Sequence, residues 1–122
     1  MFGIVQHGSE WCEHLPGKAL VVVHVPVRIT GEGPVLEANL RHRIGASRAP
    51  GPKLLLFGQQ ETTLTFRISQ ESFQPPELLS LEAYVKSTQG EELILWTQRY
   101  EVGWRDEAHR LQPFVQLAKE QR

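Results

Sequence analysis

The sequence predicts an all-β domain, an antiparallel β-sandwich or open barrel of about seven strands with a short, partly helical C-terminal tail. Three observations carry that expectation. Apolar and polar residues alternate through most of the chain, as they do on strands with one buried face. Turn chemistry rich in Gly and Pro interrupts the alternation about every ten residues. No stretch before the last twenty or so residues shows a helical period instead.

The elements follow in order. Residues 1–14 stand as an N-terminal extension to a β-sandwich domain at 15–103. Residues 18–30 are rich in β-branched side chains, and Val21, Val23, Val25, Val27 and Ile29 share one face that must enter a core. Pro26 removes a ladder donor there, so the strand is an edge or carries a bulge at that point. Gly31, Gly33 and Pro34 then turn the chain. Residues 35–44 place Leu36, Ala38, Leu40 and Ile44 inward against Glu37, Asn39, Arg41 and Arg43 outward.

Residues 45–52 read as a loop from Gly45, Pro50, Gly51 and Pro52, and 53–57 as a short apolar strand. The segment 62–69 puts Leu64, Phe66 and Ile68 on one side, and 78–87 puts Leu79, Leu81, Ala83 and Val85 there. Residues 88–91 make a hairpin connection. In 92–102 the same alternation assigns Ile94, Trp96, Tyr100 and Val102 to the core. The tail, 104–122, has few β-branched residues, and Pro113 is placed to begin a short helix packed on the sandwich.

Composition narrows the function. A net charge of −1 over 122 residues, with scattered Lys and Arg, gives no electrostatic case for nucleic acid. The one basic cluster, Arg41, His42 and Arg43, reads as a solvated strand end. No apolar run is long enough to span a bilayer. Residues 1–11 lack a basic segment followed by an apolar one, and Ser9, Glu10 and Trp11 before Cys12 lack the small apolar pattern of a lipidation site. Cys12 is expected to be a partly buried, inert thiol.

No catalytic, metal or cofactor constellation is specific. His7, His14, His24, His42 and His109 include no helical i, i+4 pair. Phosphate-binding glycine motifs and the nucleophile elbow are absent. Glu91–Glu92 and Asp106–Glu107 are neighbours whose side chains diverge on a strand, so they read as polar turn or terminus residues rather than an acid–base pair. The chain is therefore read as a non-enzyme. What stands out is surplus apolar surface: Leu20 and Val22 lie opposite the valine face, and Leu93 and Leu95 lie opposite Ile94 and Trp96. Either the domain's own tail covers these four or they bind a partner, in which case covering them contributes about 5 kcal/mol before entropic costs.

An ordered set of fragments carries a resemblance. It runs Leu15-Pro16-Gly17-Lys18-Ala19 into the valine strand, then Gly58-Gln59, Phe66-Arg67-Ile68 and Leu81-Glu82-Ala83-Tyr84-Val85. Gly90, Leu93-Ile94-Leu95-Trp96-Thr97 and Tyr100-Glu101-Val102 complete it. In this order the chain resembles, over residues 15–102, the lipoprotein family that groups type III secretion pilotins with YbaY-like envelope lipoproteins. The resemblance implies a β-sandwich on the periplasmic face of the outer membrane that binds the C-terminal segment of a secretin subunit and assists its targeting and assembly. It also implies a lipid anchor upstream of Met1. A general envelope lipoprotein without a secretin partner and a small carbohydrate-binding or enzymatic sandwich are the alternatives.

Overall fold

The computed structural model describes residues 2–119. Nine antiparallel strands occupy them: β1 (Phe2–Gln6), β2 (Trp11–Leu15), β3 (Leu20–Gly31), β4 (Leu36–Ile44), β5 (Ser47–Leu56), β6 (Gln60–Ser69), β7 (Leu78–Lys86), β8 (Glu92–Glu107) and β9 (Arg110–Leu117). The described residues contain no α-helix, only a turn of 3-10 helix at Pro16–Lys18. Two sheets form, and one curls as a half-barrel. In the first, β3 pairs with β6 on one side and with β1 and β2 in succession on the other. The second runs β5-β4-β7-β8-β9.

The valine strand behaves as its alternation requires. Val21, Val23, Val25 and Ile29 are fully buried, and they meet Leu64, Phe66 and Ile68 of β6 and Leu79, Leu81 and Ala83 of β7 in one core. Pro26 sits at the gap between β1 and β2. Its carbonyl accepts from the His7 N–H at 2.9 Å, so its proton-less nitrogen faces the same gap, where no ladder bond is lost.

Several expectations are corrected. Of residues 1–14, set apart as an extension, 2–14 form β1 and all but the last residue of β2 and supply Phe2 and Ile4 to the core. The proline-rich segment 45–52 is a loop only at Gly45 and Ala46, because β5 begins at Ser47 and includes Pro50 and Pro52. β5 is an edge strand, and an edge residue facing solvent needs no N–H. The described part of the tail, 104–119, is not helical: β8 continues to Glu107, and β9 folds back on it with Pro113 opposite Trp104, while residues 120–122 lie outside the described residues. Their connection holds Ala108 at φ 50° and His109 at φ 64°, the paired left-handed conformation of a type I′ hairpin. Such a turn is usually marked by Asn-Gly, a signal this chain lacks.

The strand register shifts in two places, between Asn39 and Arg41 in the β4–β5 pair and again in the β7–β8 pair. Between Ala83 and Tyr84 the β7–β8 register shifts, pairing Trp96 with Ala83 but Ile94 with Tyr84, so Leu95 is the extra residue of a β-bulge. Trp96, Tyr100 and Val102 keep their predicted core positions at 8%, 0% and 3% exposure. Ile94 does not: it lies on the outer face with Tyr84 and is 41% exposed. Leu95 packs partly against the core instead.

Candidate functional site

The four apolar residues singled out by sequence fall on both sheets. Leu20 and Val22 belong to β3 and face away from the core, where Val22 is nevertheless buried and Leu20 half-buried. Leu93 and Leu95 belong to β8, with Leu93 half exposed and opposite Val85. The structure does not bring the four into one patch. On the outer face of β3, the Trp11 ring stacks on His24 with centroids 4.8 Å apart, and His24 Nε2 contacts the Glu13 carboxylate at 2.6 Å. Cys12 is half-buried, and burial pushes its thiol up to about 11, which keeps it protonated and unreactive.

A stronger candidate lies at the first half of β8. β9 pairs with β8 only from Tyr100 onward. Ahead of it, residues 92–98 have β7 on one side and no strand of the described residues hydrogen-bonded on the other, although β1 lies close by. β1 is bare in the same way on the side away from β3. A cleft of about 430 Å³ separates these two edges, lined by Ile4, Val5, Gln6, Trp96, Gln98 and Leu117. Val5 and Leu117 in its lining are substantially exposed, and so are Leu93 and Ile94 farther along β8. A polar clasp closes one end: the Tyr100 hydroxyl donates to Gln6 at 2.7 Å, the Gln6 amide donates to Glu10, and Glu10 accepts the Leu117 N–H at 3.1 Å.

The outer face of the second sheet holds a polar concavity of about 1190 Å³, reached from the same edge because Thr97 and Gln98 line both hollows. The Glu82 side chain is almost wholly covered there, yet Arg41 donates to it at 2.7 Å and Arg43 donates to its other oxygen. Burial by itself would raise the Glu82 pKa, but the hydrogen bonds and charges of the two arginines hold it below the usual carboxylate range. Arg41 also grips Glu92 and stacks on the Tyr84 ring at 4.2 Å. Arg41 to Arg43 is thus no solvated strand end. Two-fold alternation turns the arginines to the ion-pair network and His42 into the core, where its Nδ1 has no hydrogen-bond partner and burial lowers its pKa.

Among the described residues, no three His, Cys, Asp or Glu side chains cluster as a metal site, and no helix is long and apolar enough to cross a membrane. No family model, no curated protein and no solved structure matches the chain. Sequence reasoning missed the cleft because it depends on where β9 stops. The exposed pair Leu93–Ile94 was the available signal, partly masked by the bulge.

Proposed function

We propose that this domain is a non-catalytic binding module of the pilotin kind. It receives the C-terminal segment of a secretin subunit at the periplasmic face of the outer membrane and assists secretin targeting and assembly there, with the lipid anchor supplied upstream of this sequence. The carrying observation is the edge of β8 at residues 92–98, paired with β7 alone, where Trp96, Thr97 and Gln98 line the cleft and Leu93 and Ile94 stand 51% and 41% exposed farther along the strand. Exposed apolar side chains along a strand edge suit a partner chain better than a small molecule. The ordered resemblance over residues 15–102 supplies the class of partner. Calorimetric titration with a synthetic secretin C-terminal peptide tests it. Saturable heat in the micromolar range is expected, and silence at several hundred micromolar contradicts the reading.

One observation favours a second reading, a sandwich that binds carbohydrate. The outer concavity carries the carboxylates of Glu77, Glu82 and Glu101 alongside arginines. Glu82 is held ionised by Arg41 and Arg43, which suits hydrogen bonding to hydroxyl groups and not proton donation. Oligosaccharide titration followed by amide shifts on β7 separates this reading from the first.

A further inference from the structure

Backbone direction along β8 can be followed atom by atom. The Ala118 N–H donates to the Arg99 carbonyl at 3.0 Å, so Arg99 presents its backbone groups away from β7. In an extended strand, groups two residues apart point the same way, and the bulge at Leu95 lies outside this interval. Thr97 therefore aims its N–H and C=O at the side where no strand of the described residues is paired. A backbone donor and acceptor side by side on an edge are complementary to another extended backbone.

The surroundings specify the side chains of such a strand. A residue beside Trp96 or Gln98 points toward the cleft walled by Ile4 and Gln6, where apolar groups gain by burial. A residue beside Thr97 points to the outer concavity of Arg43, Glu82, Arg99 and Glu101, where polar groups of either sign find partners. The geometry points to strand addition: the edge of β8 around Thr97 accepts an extended peptide whose side chains alternate apolar and polar. This inference rests on the reading of the domain as a binding module and adds the mode of binding.

The test uses two peptides on the whole chain: the secretin C-terminal peptide, and a peptide of valine alternating with lysine and glutamate that has no secretin sequence. Amide exchange is followed residue by residue. The alternating peptide is expected to bind and slow exchange at Thr97 while leaving Gln98, which faces β7, unchanged. N-methylation of every second peptide residue should weaken binding about tenfold or more in one phase and little in the other. Thr97→Pro removes the outward N–H without breaking a bond to β7 and should abolish binding, with Thr97→Val as the control that keeps the N–H and the binding. If that variant does not fold, the methylated peptides still decide the matter. Protection of Thr97 by the alternating peptide alone supports strand addition and overturns the secretin reading. Secretin peptide bound with protection elsewhere leaves that reading standing and overturns strand addition. Binding by neither peptide, or a dimer of this chain that already protects Thr97, overturns it as well.

Discussion

The two halves of β8 are one continuous strand in two different situations. From Tyr100 onward β9 lies beside it, with β7 on the other side as far as Glu101; Tyr100 and Val102 are buried, and Gly103 lies so close under the Phe114 ring that an added Cβ would stand 2.6 Å from it. Before Arg99 the same strand has one neighbour, and it shows Leu93 and Ile94 to solvent. Edge strands with exposed apolar residues invite pairing, and natural proteins normally blunt them with charge, proline or a bulge. Here a bulge sits at Leu95, yet it turns Ile94 outward and leaves the edge open. The half that is closed builds the domain, and the half that is open is available to a partner.

Substitutions in the two halves should separate by energy. The largest effect belongs to Tyr100, whose ring is fully buried and whose hydroxyl ties β8 to β1. Tyr100→Ala should cost about 3 to 5 kcal/mol in denaturant unfolding and leave so small a domain largely unfolded. Next comes Glu82→Ala, which removes the carboxylate shared by Arg41 and Arg43 and leaves Arg41 with Glu92 alone, with a loss of about 1 to 3 kcal/mol in the same measurement. A folded, unshifted Glu82 variant would mean that the network around it is solvated.

The third prediction concerns acid. His42 is buried without a partner for Nδ1 and has its pKa below the usual 6.5. The unfolded chain takes up a proton near 6.5 that the folded ring refuses, so stability is intact above that pH and declines below it. The slope reaches at most about 1.4 kcal/mol per pH unit. His42→Leu should flatten this limb. The Glu82 contribution, lost only as pH falls through its depressed value, remains at lower pH. Unchanged acid sensitivity in the variant would assign the limb to another group. The smallest effect is expected at the open half: Leu93→Lys and Ile94→Lys should each change stability by less than about 0.5 kcal/mol while weakening peptide binding. A large loss of stability there would place these side chains in the core and erase the contrast.

Much of the fold was legible because β3, β6 and β7 obey simple alternation and their apolar faces are the ones buried. What escaped depended on partners. Pro50, Pro52 and Pro113 looked like breakers, but each lies on an edge strand, where a missing N–H has no cost. The bulge at Leu95 reversed the phase of Ile94, and a bulge is defined by the opposing strand, not by its own residues. His42 was read with its charged neighbours, whereas strand periodicity sends it to the opposite face. Leu93 is half exposed, but its grouping with Leu20 and Val22 passed over the fact that β3 and β8 belong to different sheets, which only the pairing reveals.

Amide exchange in the free domain offers the most direct comparison, between Thr97 and Glu101. Both residues point their N–H groups to the same side of β8, and only Glu101 has β9 beside it. Thr97 should exchange close to the rate of an unstructured peptide and Glu101 orders of magnitude more slowly. Equal, strong protection at both positions would mean that the edge is already occupied, and no strand remains to be added.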